Sequence, residues 1–531
     1  MKTEVITTMI YMVFLVHFAI TISPNTQPSW LFSLVSLSLA VVAVTLPFVV
    51  TTTLHAHRNA GATATIPGPR GWPLVGSLPA VSGPLMHRRL ATLADAHGAR
   101  RLMSLTLGAT PVVISSHPDT AREILSGAAF VDRPPKGVAR ELMFCRAIGF
   151  APAGEYWRRL RRIAGTGMLS PHRMAALGGL RCRIADDMVR RVADQMERSG
   201  EVAMRALLQR ASLESMAGSV LGLKGVVVSE ELGEMVREGY ELVGMFNLGD
   251  HYYKTPWGPL MDLWGVGPMC RGLAARVRGY FGKIIEERRV VGDYHERDDL
   301  LSYMLSLPEE ERLEDSDVIA VLWEMIFRGV DVVAILLEWA MARMSLHSDI
   351  QSKAQEEMDA AVGRLRPITD SDVPSLRFLQ WILKETLRMH PPGPLLSWAR
   401  LAVQDARVGK HVVPAGTTAM VNMWAISHDE AIWGDPWVFR PERFAEEEVS
   451  VLGSDLRLAP FGSGRRVCPG RMMGLATAQL WLGRLLQEYR WLPPPANKPV
   501  RLAECLRLSM EMKTPLVCRA VPRRRGGPAA A

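Results

Sequence analysis

A mainly α-helical body with a smaller β-rich region, preceded by an N-terminal membrane anchor, is the fold class that three features of the sequence predict. Apolar residues recur every three or four positions over Asp315 to Met344, Pro374 to Met389 and Gly470 to Tyr489, the period of long helices. Short alternating runs interrupted by glycine and proline read as strands. Trp30 to Val50 runs 21 residues without a charge, enough to cross a hydrocarbon core.

The elements follow in chain order. Residues 1–55 form the expected anchor, with a first apolar segment from Val5 to Ile22, an uncharged turn from Ser23 to Pro28, and the second segment at Trp30. Cations follow the second segment at Arg58 and Arg70 but are missing from the turn, which places the bulk of the chain in the cytosol. A cleaved secretory signal competes for the first segment, although no small-residue cleavage site supports it. One span and a two-span hairpin both remain open. Residues 56–80 form a proline-rich hinge around Ile66-Pro67-Gly68-Pro69-Arg70-Gly71-Trp72-Pro73, stiff enough to hold the body at a set angle to a membrane. Residues 81–518 are the catalytic body. In it Leu102–Leu107 and Pro111–Ile114 read as a hairpin about Gly108, and His411 to Val421 as another. Residues 519–531, with Arg523-Arg524-Arg525, read as a disordered basic tail.

Of the 531 residues 48% are hydrophobic, so a large core can be buried. The net charge of +8 is spread along the chain with no aromatic-interleaved basic stripe, which argues against nucleic acid and for a membrane surface or an acidic protein partner. Six cysteines, at 145, 182, 270, 468, 505 and 518, form no CxxC pair and suit a reducing compartment.

One cysteine stands apart. Phe461-Gly462-Ser463-Gly464-Arg465-Arg466-Val467-Cys468-Pro469-Gly470 leads directly into a long apolar helix. A thiolate there gains from backbone N–H groups and from the positive end of the following helix. The glycines permit tight turns and close approach to a flat group, Arg466 can reach a carboxylate, and Phe461 can shield the sulfur from water. This segment resembles the haem-binding loop FxxGxRxCxG of the cytochromes P-450, at Phe461, Gly464, Arg466, Cys468 and Gly470.

Other segments extend the resemblance from the anchor to about residue 518. Glu385 and Arg388 match the family's ExxR, and Phe439-Arg440-Pro441-Glu442-Arg443-Phe444 is similar to its PERF segment, whose arginine completes a charged triad. Trp157 and Arg161 match the WxxxR that contacts haem propionates, and Arg400 stands where many relatives place another propionate partner. Arg158, Arg159 and Arg162 would then form a basic patch beside the haem, suited to docking an acidic electron donor. The segments around Trp323–Gly329, Leu395–Ala402 and Gly453–Pro460 narrow the resemblance to a plant branch, family seventy-eight subfamily A, the KLUH- and PLASTOCHRON-like enzymes.

The resemblance implies a haem-thiolate monooxygenase with haem b, Cys468 as axial iron ligand, and an NADPH-cytochrome P-450 reductase as electron donor. It implies a lipophilic small-molecule substrate, fatty acids among the candidates, and attachment to endoplasmic reticulum membrane lipid with the body facing the cytosol. The implied fold is one large domain of about a dozen helices with haem between the Asp315 and Gly470 helices. Candidate pocket residues are Met143, Phe144, Met245, Phe246, Ile326, Phe327, Val330, Leu395, Leu396, Leu508 and Met510.

In one place the sequence departs from the pattern. The oxygen-activating segment of the family reads [AG]-G-x-[DE]-T-[TS], and here the aligned stretch is Arg328-Gly329-Val330-Asp331-Val332-Val333. Gly329 can open the helix for dioxygen and Asp331 keeps the carboxylate, but Val332 cannot donate a proton, so leaky coupling is expected. The departure leaves two further readings open: a reductase-independent isomerase or dehydratase, and a catalytically weak haem-binding sensor.

Overall fold

The computed structural model describes residues 66–223, 230–253, 255, 258–396, 398–494 and 499–523. The anchor segments at 5–22 and 30–50 lie outside the described residues. Among the described residues no helix is long and apolar enough to cross a membrane.

The body is built on long helices: α1 (Glu155–Gly167), α2 (Gly178–Ser199), α3 (Met204–Leu221), α4 (Glu230–Gly244), α5 (Val266–Val291), α6 (Asp315–Leu346), α7 (Ser348–Ala361), α8 (Arg377–Met389) and α9 (Arg471–Glu488). α6 is the axis. Asp315 and Asp317 in its first turn favour the positive end of the helix dipole, and no proline interrupts it. It is buried on most of its circumference, as a central helix must be. Its first half, through Val330, packs with α1, α4 and α5 in one hydrophobic core. Its second half, from Ala334, packs with α2, α8 and α9 in another. Residues 331–333 lie at the seam.

The β-rich region sits to one side. Strands β1 (Met103–Leu107) and β2 (Thr110–Ser115) form the expected hairpin. The short β3 (Val202–Ala203) belongs to a different sheet. β4 (Arg400–Leu401), β5 (Ala406–Val408), β6 (His411–Val413) and β7 (Thr418–Val421) follow. The second expected hairpin is corrected here. β6 pairs with β5 around Gly409, whereas β7 crosses to lie parallel to β2. Burial decides this: β2 is buried throughout and β7 nearly so, which suits the sheet interior, while β6 is largely surface.

Two expected boundaries move. The proline-rich stretch is packed from Ile66 onward: the Ser104 amide donates to Pro67 O at 2.9 Å, and a Cβ on Gly68 would lie 1.9 Å from Ser104 O. It lies along β1 as an added edge instead of standing off as a spacer. At the other end β8 (Tyr489–Leu492), β9 (Glu504–Leu506), β10 (Met510–Met512) and β11 (Val517–Pro522) carry ordered chain past residue 518. β11 pairs with β8 as far as Pro522, and Arg523 bonds Asp359 at 2.7 Å. Pro522 fits because β3 covers β11 only at 517–518, so no partner strand needs the missing N–H.

Candidate functional site

A cavity of about 280 Å³ opens at the seam of α6, between that helix and the loop before α9. Met325, Arg328, Gly329, Val332, Val333 and Leu336 form its α6 wall, a stripe with three- and four-residue spacing. Val332 is 38% exposed although its helix is central, because its side chain meets the cavity. Gly329 serves packing as well as access: an added Cβ would lie 2.5 Å from Met216 Sδ on α3.

Cys468 lines the opposite side, as do Phe461, Gly462, Arg466 and Gly470. Gly462 and Gly464 adopt φ of +70° and +68°, the left-handed region that favours glycine. A Cβ on Gly464 would come 2.3 Å from Leu125 O. Gly470 has an ordinary φ of −86° and no protein atom near its Cβ position, so any demand for glycine there comes from the cavity side. The loop is closed by Cys468 N donating to Phe461 O at 2.9 Å. Burial pushes the Cys468 thiol up, opposed by the Gly470 amide and by the Arg328, Arg161 and Arg471 guanidinium groups. Without a metal the thiolate is therefore disfavoured, and an iron would reverse that.

Five arginines line the cavity: Arg328 on the α6 wall, and four from other elements, Arg133, Arg161, Arg400 and Arg466. The hydrogen bonds of these four go to neutral carbonyls. Arg133 donates to Gly149, Trp398 and Ala399, Arg161 to Val467, and Arg400 to Ser463. Arg466 donates to Val131, Ile148 and Ala151, with Asp132 standing off at 3.6 Å. Burial lowers all four, and mutual repulsion adds to it among Arg133, Arg400 and Arg466; Arg400 falls to about 9 and Arg466 to about 10. A ring of four cations that donates its hydrogen bonds to carbonyls, with only Asp132 and Glu324 nearby to offset the charge, fits a planar group carrying two carboxylates.

Trp157 does not line the cavity. Its indole donates to Ile148 O at 3.1 Å, and the guanidinium groups of Arg466 and Arg161 lie over its ring at 4.2 and 5.4 Å. Its ring thus packs against two of the cavity arginines. Asp331 also lies off the cavity wall, turned toward α3. Of the apolar pocket candidates only Leu396 is on the wall; Phe144, Ile326, Phe327 and Val330 are packed in the first core. Phe246 is 51% exposed. Sequence reasoning missed Arg133, Glu324, Arg328 and Trp398. The helical stripe through Gly329 and Val332 would have found the two on α6.

The ExxR and PERF residues assemble on α8 behind the cavity. Arg388 binds Glu385 with two bonds, at 2.8 and 2.9 Å, and Arg443 binds the same carboxylate at 3.1 Å. The Arg440 amide donates to it at 3.0 Å, and the two guanidinium groups fill their remaining sites with the carbonyls of Ser427, Trp433, Asp435 and Val438.

Comparison with known proteins agrees with this geometry. The cytochrome P-450 family profile matches residues 66–519. Cytochrome P-450 78A5 of Arabidopsis thaliana is 50% identical over 474 residues, 87% of this chain and 90% of its own length. Cytochrome P-450 78A1 of Zea mays is 50% identical over 442 residues, 80% of each chain. A flavonoid 3'-monooxygenase of Arabidopsis thaliana is 32% identical over 507 residues, 92% of this chain and 98% of its own. The chain belongs to the cytochrome P-450 family, in the plant 78A group, and is a monooxygenase whose cofactor is haem b with a cysteine thiolate on the iron.

Proposed function

We propose that Cys468 is the axial ligand, that Arg133, Arg161, Arg400 and Arg466 receive the haem propionates, and that the enzyme oxygenates a lipophilic small molecule with electrons from an NADPH-dependent reductase. The observation that carries this is the single cavity shared by Cys468, the arginine ring and an apolar helix wall. When bound, the haem supplies the iron at which dioxygen is activated. The protein supplies the surroundings. Met168, Leu169, Met216, Met325, Val332 and Leu336 exclude water and bind an apolar substrate. Phe461 covers the thiol side, and Gly329 leaves room beside α6. Burial first, then the Glu511 charge, raises Asp331 to about 6, so it titrates close to neutral pH and can exchange a proton there. The exposed Arg158 beside α1 suits an acidic electron donor, whereas Arg159 and Arg162 are already engaged with the Arg312 carbonyl and Glu311. The charge-free segments within residues 1–55 support attachment to the endoplasmic reticulum with the body in the cytosol.

The deciding experiment is the reduced carbon monoxide spectrum of wild type and Cys468→Ala. Wild type is expected to show the red-shifted Soret band of a thiolate trans to the gas, and the variant to lose it. A variant that keeps the band overturns the assignment of Cys468. The second reading, a reductase-independent rearrangement, draws on Val332 alone. Conversion of a lipid hydroperoxide by a wild type that consumes no NADPH would favour it.

A further inference from the structure

The cavity has a second wall, on α3, and it carries hydroxyls that α6 lacks. Asp331 faces α3, where the Gln209 side chain bonds its carboxyl. One helical turn beyond Gln209, Ser212 lines the cavity, and Ser215 lines it too. Ser212 is 2% exposed, and its Oγ has no hydrogen-bond partner among the described residues. A buried hydroxyl without a partner costs stability, so its presence on a cavity wall asks for a reason. α3 and α6 approach closely where Gly329 meets Met216, and Ser212, Ser215 and Val332 line the same cavity. Burial of Asp331 keeps a proton available on the far side of the same helix.

We propose that Ser212 supplies the cavity hydroxyl missing at Val332, relaying protons from the Asp331–Gln209 pair to the dioxygen side of the cavity. In the coupled reaction RH, O2, NADPH and H+ give ROH, H2O and NADP+. Cleaving the O–O bond takes two electrons from NADPH, through the reductase, and two protons; one oxygen enters the substrate and the other leaves as water. Ser212 gives one proton toward the cavity and regains one, through water, from the Asp331 carboxyl, which is itself reprotonated from solvent, so both end unchanged. If that delivery fails, the same electrons and protons leave as hydrogen peroxide. The relay also revises the expectation of a leaky enzyme: the hydroxyl has moved from one helix to its neighbour.

The test compares full-chain holoenzymes of wild type, Ser212→Ala, Ser212→Thr, Val332→Thr and the double variant Ser212→Ala/Val332→Thr. Each is run with an NADPH-dependent reductase and dodecanoic acid as probe, reading hydrogen peroxide released per NADPH, and separately the thermal midpoint. Ser212→Ala is expected to raise peroxide per NADPH by about two- to five-fold. Its midpoint should stay within about 2 °C of wild type or rise, since the hydroxyl removed had no partner. Ser212→Thr should keep the wild-type ratio of peroxide to NADPH, and in the double variant Val332→Thr should bring the ratio back down from that of Ser212→Ala. Unchanged peroxide in Ser212→Ala overturns the proposal. So does a rise accompanied by a lower midpoint and left uncorrected by Val332→Thr, which would make Ser212 a packing residue.

Discussion

Two groups of arginines, one lining the cavity and one behind it, are built on opposite principles. Around Glu385, each guanidinium meets the carboxylate and fills its other positions with carbonyls, so the charge set is complete within the protein. Around the cavity, Arg133, Arg161, Arg400 and Arg466 hold only carbonyls in hydrogen bonds and repel one another. A finished cluster is tolerated without any ligand and is costly to break. An unfinished one is stable only when something else arrives. The difference separates residues that make the fold from residues that hold a ligand, without reference to any motif.

The contrast can be broken most sharply at Glu385. Removing its carboxylate leaves Arg388 and Arg443 buried without an anion, at a cost of about 3–5 kcal/mol. Glu385→Ala should therefore accumulate little haem-loaded protein, and chemical denaturation of what forms should show the loss. Normal stability with a selective loss of turnover would move the triad into the ligand-holding group.

Asp331 lies between the two types, a carboxyl only partly satisfied by Gln209 and Arg205. Its folded value of about 6, against 3.8 for an ordinary aspartate, means that the fold favours the protonated form. That contribution is full below about pH 4 and is lost as pH rises through about 6. Asp331→Asn should thus gain stability relative to wild type as pH rises, by up to roughly 3 kcal/mol at pH 8. A gain independent of pH, in paired denaturation curves at pH 5 and 8, would show that the carboxyl is not the group responsible.

The ring gives the smallest change in stability, opposite in sign to that of the triad, as at Asp331. Arg400→Met removes a buried, mutually repelled cation, so the apoprotein should gain about 1–3 kcal/mol. Haem retention should fall by roughly 10–100-fold, the worth of one charge-assisted hydrogen bond. Haem transfer to apomyoglobin reads the second effect and apoprotein melting the first. A loss in both would place Arg400 with the triad.

The sequence was most informative where local chemistry repeats. Gly462, Gly464, Arg466 and Cys468 stand close together in the chain, so their resemblance to a haem-binding loop could be read from a single segment. The periods of α6, α8 and α9 were legible for the same reason. What could not be read depends on how distant segments meet. β7 looks like the second arm of a hairpin until β2 offers it a buried parallel partner. Phe327 and Val330 look like pocket residues until the rotation of α6 places 325, 328, 329 and 332 on the wall. Arg133 carries no signal of its own, and only its convergence with three other arginines reveals it. Ser212 is one serine among many in the sequence, distinguished only by the partner it lacks.

Because α6 threads two separately packed cores, the molecule has a preferred line of compliance. Each core is dense and resists deformation, whereas residues 331–333 are shared by neither in full. A change of angle between the two cores would therefore bend α6 at this turn, with neither core repacked. The same turn sets Val332 on the cavity wall and Asp331 toward α3, so such a bend would shift both faces of the helix together.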